Sequence, residues 1–171
     1  MKKTIALIAL TSLLFVSCKK EVAAEAVAKQ PNQGGINIEK SANIDLVKKV
    51  VAEASSFDLV NFKSNFAPTA IIHDNRNDMT LDENVKMLEG VKASGATLTL
   101  GKDPLIWEVV NDKANEKTGI TNYVISYYEA TFSKGGKSAV VVYNMNFAVK
   151  DGKIQEEWDV YDSAPIMEVL K

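Results

Sequence analysis

The periodicity of hydrophobic and polar residues changes along this chain. Between residues 41 and 95 the apolar residues recur at the spacing of a helix face, and beyond residue 96 apolar and polar residues tend to alternate one by one. The first periodicity is typical of amphipathic helices and the second is typical of half-buried strands. The pattern therefore predicts an α+β domain, with helices first and an antiparallel meander after them.

Three helices are predicted in the first part. The first runs from Ser41 and carries an apolar face made of Ile44, Val47, Val50, Val51 and Ala54. A second, short helix is predicted over residues 57–66, ending before Pro68, because the residue before a proline disfavours helical backbone. Thr80 followed by Glu83 has the form of a capping box and predicts the start of a third helix, which Gly95 closes.

A strand is predicted between the helices, over residues 69–73, followed by a polar loop at residues 74–78. Four further strand-like stretches follow the third helix, at about residues 97–111, 119–133, 137–149 and 153–162. The Gly-rich segment 134–137 and the Asp-Gly segment 150–153 predict hairpin turns between the last three stretches.

The N-terminus has the form of an export signal. Lys2 and Lys3 precede an apolar stretch of residues 4–16, too short to cross a bilayer comfortably. Residues 14–18 end in Ser17-Cys18 and resemble the bacterial lipobox, although Phe15 departs from the usual Leu. The resemblance implies that residues 1–17 are removed and that Cys18 is acylated, which would anchor the protein to the cell envelope. An ordinary signal with an incidental cysteine is the alternative.

Residues 18–40 are predicted to be a flexible tether, because they are rich in Ala, Lys, Glu, Gln and Asn and contain no aromatic residue. Residues 41–171 remain as a single domain. Loss of Lys2 and Lys3 moves the net charge from -2 to -4, which gives no basic footprint for nucleic acid. With one His and one Cys, the chain cannot form a nitrogen- or sulfur-rich metal site, and no cofactor motif is present. A carboxylate-only site for a hard cation stays an alternative, without a loop signature to support it.

The closing stretch VKDGKIQEEWDVYD at residues 149–162 and the segment FAPTAIIHD at residues 66–74 resemble the nuclear transport factor 2-like superfamily, in its SnoaL-like branch. The resemblance covers about residues 41–170. It implies a cone-shaped, curved antiparallel sheet packed against three N-terminal helices, with a pocket at the open end. It implies no single function, because this fold hosts isomerases, cyclases, dehydratases, epoxide hydrolases and binding proteins.

The resemblance to ketosteroid isomerases within this superfamily suggests two catalytic candidates. Asp74 falls where those enzymes carry their proton-shuttling aspartate, and Tyr143 falls near their strand-borne hydrogen-bond donor. A carboxylate with a raised pKa and a phenol that donates to an oxyanion would suit proton transfer. The simpler alternative is that Asp74 forms a turn with Asn75.

Strand alternation adds candidates for ligand binding. Glu157, Asp159 and Tyr161 share one face of the last strand, and the resemblance places Asp159 and Tyr161 toward the pocket and Trp158 on the opposite face, which is often dimer-forming. Asp159 also resembles the last-strand aspartate of limonene epoxide hydrolase-like enzymes. That resemblance implies an arginine on a neighbouring strand, and the only arginine, Arg76, falls in a loop.

Two aromatic side chains complete the set of candidates. His73, beside the turn at the end of the first strand, is predicted to be either a structural histidine or a pocket ligand. Tyr127 belongs to an alternating stripe that is more typical of a core, and it is kept as a ligand-binding candidate.

These patterns favour a lipid-anchored envelope protein that binds a small molecule in its cone. The alternatives are an isomerase or cyclase with Asp74 as general base, and a module for homodimerisation or protein interaction.

Overall fold

The structure is a computed structural model, and it describes residues 35–171. The predicted signal at residues 1–17, Cys18 and the tether as far as residue 34 lie outside the described residues. The helices are α1 (Ala42–Ser55), α2 (Leu59–Ser64), α3 (Leu81–Ala93) and α4 (Ala164–Leu170). The strands are β1 (Ile36–Ile38), β2 (Phe66–Asp74), β3 (Asn77–Thr80), β4 (Thr97–Leu100), β5 (Leu105–Val110), β6 (Asn122–Lys134), β7 (Lys137–Lys150) and β8 (Lys153–Val160).

The first and third predicted helices are confirmed, together with the side chains that cap them. Ser41 Oγ accepts a hydrogen bond from the Ile44 N–H at 3.1 Å, and Ile44 begins the buried face of α1. At α3, the Glu83 N–H donates to Thr80 Oγ1 at 3.3 Å, and the Thr80 N–H donates to Glu83 Oε2 at 2.8 Å. Two backbone donors at the start of α3 are thereby satisfied, as a capping box requires.

The strands form one curved, unclosed sheet in the order β1-β5-β6-β7-β8-β2-β3, and β4 also pairs with β6. Every pair is antiparallel except β2 with β8, which run parallel. The predicted hairpin turns are confirmed between β6 and β7 and between β7 and β8. Gly135 and Gly136 both have positive φ, 59° and 83°, a conformation that a two-residue hairpin favours and glycine adopts without strain.

The predicted stretch 97–111 is two strands instead of one. The chain leaves β4 at Gly101, whose N–H donates to the Glu129 carbonyl at 2.7 Å, and Pro104 precedes β5. Pro104 has no N–H to donate to a ladder. As a result β4 and β5 lie end to end along the same edge of β6.

The second helix is shorter than predicted and the strand after it is longer. Helix α2 begins after Asp58, which caps it, and ends at Ser64, so that β2 already starts at Phe66 and contains Pro68. The pairing of β2 with β8 shifts register between Phe66 and Ile71, and Pro68 lies inside that irregular segment, where a missing donor is tolerated.

Three elements were not predicted. Strand β3 occupies part of the polar loop 74–78, because Asn75 adopts a φ of 53° and turns the chain back so that Asn77 pairs with Asp74. Strand β1 pairs with β5 from within the segment predicted as tether. Helix α4 follows β8 and packs on β6 and β7. No helix of the described residues is long and apolar enough to span a membrane.

Candidate functional site

A cavity of about 400 Å³ lies between the concave face of the sheet and the helices. Its walls are mostly apolar, with side chains from all four helices and from β4, β6 and β7, among them Val51, Phe62, Leu88, Leu100, Phe132 and Ile166. This size lies within the usual range for pockets that hold small organic molecules.

Three carboxyl groups line the cavity, and we refer to Asp74, Glu157 and Asp159 as the acid cluster. The parallel pairing of β2 with β8 sets Asp74 directly beside Asp159. Glu157 lies two residues before Asp159 and therefore projects from the same face of β8. Glu157 is 4% exposed and Asp159 is 9% exposed, so both carboxyl groups are withdrawn from bulk water.

Burial and mutual repulsion change the proton affinity of these acids. Burial, followed by the charge of Asp74, raises the pKa of Asp159 to about 7, although a hydrogen bond from Glu157 acts in the opposite direction. Burial also raises the pKa of Glu157 well above its ordinary value, and the charge of Asp159 and the hydrogen bond to it add to this effect. The cluster can thus keep a protonated carboxyl beside an ionised one near neutral pH, a combination that can donate and accept a proton.

Three tyrosines surround the acid cluster. The rings of Tyr143 and Tyr161 stack with centroids 4.1 Å apart and an angle of 26° between the planes. Burial raises the pKa of both phenols, and the negative charge of Asp74 adds to the rise, so both remain neutral donors. Tyr161 also hydrogen-bonds to Asp74. Burial raises the pKa of Tyr128 to about 12.

The turn between β2 and β3 is fastened to the end of β8 beside these acids. The Asn75 N–H donates to the Asp159 carbonyl at 2.8 Å, and Asn75 Oδ1 accepts from the Tyr161 N–H at 3.2 Å. Asn tolerates the left-handed backbone conformation that this turn needs. Asn75 therefore fixes the relative positions of Asp74, Asp159 and Tyr161.

The buried polar atoms that lack a hydrogen-bond partner are concentrated in this cavity. Within residues 35–171, five buried side-chain atoms have no partner, and each belongs to a residue that lines the cavity. They are Asp74 Oδ1, Asn84 Oδ1, Tyr128 Oη, Glu157 Oε2 and Asp159 Oδ1. Buried polar atoms are normally paired, so five orphans in one place call for an explanation.

Of the six described residues that the sequence suggested for the site, four lie in the cavity wall: Asp74, Tyr143, Asp159 and Tyr161. The structure places the other two outside it. His73 follows strand alternation to the outer face of the sheet, where it stacks on Trp158 at 5.2 Å and its Nδ1 lies 2.7 Å from Asp78 Oδ1. Tyr127 is 41% exposed and stacks on Trp107, because its neighbour Tyr128 takes the inward position.

Three cavity residues with an unpartnered buried atom were not among the candidates: Asn84, Tyr128 and Glu157. Each had a sequence signal. Glu157 shares its strand face with Asp159, and Tyr128 has the parity opposite to that of Tyr127. Asn84 lies three residues after Leu81 and four before Leu88, on the apolar face of α3.

Across the described residues, no group of three His, Cys, Asp or Glu side chains is arranged to hold a metal ion. Arg76 is exposed in the turn between β2 and β3 and does not line the cavity, so it cannot serve as the arginine of an epoxide hydrolase site there.

No protein-family model matches this chain, and no curated protein matches it. Solved structures do match. An NTF2-like protein of unknown function from Burkholderia pseudomallei is 13% identical, with 77% of this chain and 99% of that chain covered and a TM-score of 0.57. The chain has the nuclear transport factor 2-like fold.

Two further structures with this fold carry names that indicate chemistry. A putative polyketide cyclase from Xanthomonas campestris is 15% identical, covers 76% of this chain and 96% of its own, and has a TM-score of 0.54. An LEH-like epoxide hydrolase from M. tuberculosis is 12% identical, covers 75% and 89%, and has a TM-score of 0.55. At such low identity the similarity shows the shared fold alone.

Proposed function

We propose that this domain binds a small, mostly apolar molecule in the cavity, with the polar end of the molecule against the acid cluster. One observation carries the proposal: in the described part of the chain, the buried polar atoms without a partner all line this cavity. An unpaired polar atom in the core costs about 1–3 kcal/mol, so a purely structural cluster of this kind would be destabilising without compensation. A ligand that completes these hydrogen bonds offsets that cost.

The walls and the names of proteins with the same fold support this function. A cavity lined by side chains such as Leu88 and Phe132, with a few convergent polar groups, is the usual form of a small-molecule site. A putative polyketide cyclase and an epoxide hydrolase have this fold, and their names refer to small organic substrates.

The test uses two fluorescent naphthalene probes on the full chain: Prodan, which is a neutral ketone, and naphthylethylamine. Ala130 lines the cavity, and Ala130→Leu would fill part of it. We expect at least one probe to bind, and its affinity to fall about tenfold in Ala130→Leu. Val140→Leu on the neighbouring strand is the control, because Val140 is exposed outside the cavity. Binding that is absent, or equal in both variants, would refute the proposal.

A second candidate is an isomerase or cyclase that uses Asp74 as general base and Tyr143 as donor to the oxyanion. Its specific support is that Asp74 and Tyr143 line the same cavity, with neutral Tyr161 hydrogen-bonded to Asp74. Turnover of an enolisable ketone that is lost in Asp74→Asn would favour this candidate. Binding of the ketone without turnover in the unaltered chain would leave the binding function alone.

We further propose that Cys18 is acylated and holds the domain at the bacterial cell envelope, on the periplasmic or outer-membrane face. The support is the lipobox-like segment at residues 14–18, preceded by a basic start and an apolar stretch. Labelling with a palmitate analogue should mark the unaltered chain and fail on Cys18→Ser, and equal labelling of both would contradict the anchor.

A further inference from the structure

The charges that face the cavity all have the same sign. Its lining includes Asp74, Glu157 and Asp159, and it includes no Lys, Arg or His among the described residues. Buried carboxylates are ordinarily compensated by a cation or by several hydrogen-bond donors. In this cavity the described lining residues supply no cation to compensate the carboxylates.

Most of the buried atoms that lack a hydrogen-bond partner are also of one kind, namely oxygens that can accept a hydrogen bond. Four of the five unpartnered atoms are amide or carboxyl oxygens, which accept hydrogen bonds when the carboxyls are ionised, and the fifth is the Tyr128 hydroxyl. Asn84 is 6% exposed, and its Nδ2 donates to Met79 Sδ at 3.6 Å, which leaves its Oδ1 facing the cavity without a partner. A ligand that completes this set while the carboxyls are ionised must therefore supply mainly donors.

Aromatic faces add to this preference. The stacked rings of Tyr143 and Tyr161 lie beside the acid cluster, and Phe62 and Phe132 also line the cavity. The electron-rich faces of such rings attract cations, most strongly in a site from which water is excluded.

A ketone, an epoxide or a carboxylate would bring further acceptors to a site that already has too many. A protonated carboxyl or a tyrosine hydroxyl could satisfy them, but the carboxylate and amide oxygens would stay unpaired, and a carboxylate ligand would also be repelled by the charge of Asp74. A protonated amine instead brings one positive charge and up to three donors. The remaining walls are apolar, so the rest of the ligand must be apolar as well.

We propose that the ligand class of this cavity is a cationic amine on an apolar body, with the ammonium group held by Asp74 and Asp159. This inference rests on the proposed binding function and specifies its ligand. Glu157, two residues before Asp159 on the same face of β8, supplies a third acceptor when it is ionised.

The experiment compares naphthylethylamine with naphthylethanol, which share the same apolar body and differ in charge. Both are titrated into the full chain at neutral pH, and binding is followed by naphthalene fluorescence. We expect the amine to bind about tenfold more tightly than the alcohol, as a charge-assisted hydrogen bond allows. Asp159→Asn and, separately, Asp74→Asn should weaken the amine about tenfold and leave the alcohol nearly unchanged.

Glu156→Gln is the matched control. It removes one negative charge from the same strand, but Glu156 lies next to Glu157 in sequence and therefore points to the opposite face. It should change the affinity of neither probe. Equal affinity for amine and alcohol, or amine binding that both cluster variants leave intact, would overturn the inference.

The two proposals fail in different ways. If the alcohol binds as tightly as the amine and Ala130→Leu weakens both, the binding function stands and the cationic class is refuted. If Ala130→Leu affects neither probe, the binding function itself fails.

Discussion

Two buried carboxyl sites in this domain have opposite surroundings. Glu108 on β5 is 1% exposed and accepts hydrogen bonds from Asn43 Nδ2 at 2.6 Å and Asn122 Nδ2 at 2.5 Å. Burial would raise the pKa of Glu108, but the hydrogen bonds from Asn122, Ser41 and Asn43 outweigh it and hold the pKa below its ordinary value. At the acid cluster, burial is not offset in this way, and the pKa values of Glu157 and Asp159 rise.

The two sites show how a buried carboxyl that only supports the fold differs from one that is available to a ligand. Burial is common to both, so burial alone identifies neither. Glu108 joins the start of α1 to the first residue of β6 through complementary amides, and it is complete without a ligand. Asp159 has an oxygen that the protein leaves unpaired. Sites of function are where stability is commonly sacrificed in this manner.

The largest effect is expected at Glu108. Glu108→Ala removes the acceptor of two buried amides and leaves a cavity, so the free energy of unfolding should fall by about 4 kcal/mol in urea titrations. Glu108→Gln, which keeps one acceptor oxygen, should lose less. A loss below about 1 kcal/mol in the alanine variant would show that the hydrogen bonds to Glu108 do not stabilise the fold, and would contradict the contrast with the acid cluster.

An effect of the opposite sign is expected at Asp159. At pH 8 the raised pKa of this group means that its ionised form is disfavoured in the folded state, so Asp159→Asn should raise the free energy of unfolding by about 3 kcal/mol. Urea titration measures the change. Glu156→Gln on the opposite face should stay within about 0.5 kcal/mol of the parent chain. Destabilisation by Asp159→Asn, with Glu156→Gln neutral, would contradict the argument.

The pH dependence of stability is expected to be the smallest effect. Asp159 has a pKa of about 7 when folded, against an ordinary value of 3.8, so between these values the unfolded chain binds fewer protons than the folded one. Stability conferred by the protonated form is therefore lost as pH rises, and the free energy of unfolding should fall by about 2 kcal/mol from pH 5 to pH 8. Glu157, whose pKa burial also raises, adds a fall of the same sign in both chains, so the fall in Asp159→Asn should be smaller than in the parent chain without vanishing. Parallel pH profiles for the two chains would argue against a perturbed Asp159.

Local patterns predicted much of the fold. The apolar face of α1, the capping box at Thr80 and the two hairpin turns of the meander all rest on residues close together in sequence, and the structure confirms them. Two predictions failed because the backbone conformation at particular residues overrode the pattern of apolar and polar residues around them. Gly101 and Pro104 broke one strand into two, and the left-handed conformation of Asn75 turned a loop into a hairpin.

The site was predictable in part. Strand alternation put Glu157, Asp159 and Tyr161 on one face, and the family resemblance directed that face and Asp74 toward a pocket, where the structure places them. His73 and Tyr127 lie elsewhere, because each precedes the residue that faces inward.

The order of helices and strands, and the strand face on which each carboxyl lies, follow from spacing along the chain and can be predicted from it. Which carboxyls lack partners depends on contacts between distant segments. That outcome depends on the parallel pairing of β2 with β8, which sets Asp74 beside Asp159, and on amides that reach Glu108 but not the acid cluster. A local pattern can place a charge on a face, but what meets the charge there is set by segments far away in the chain.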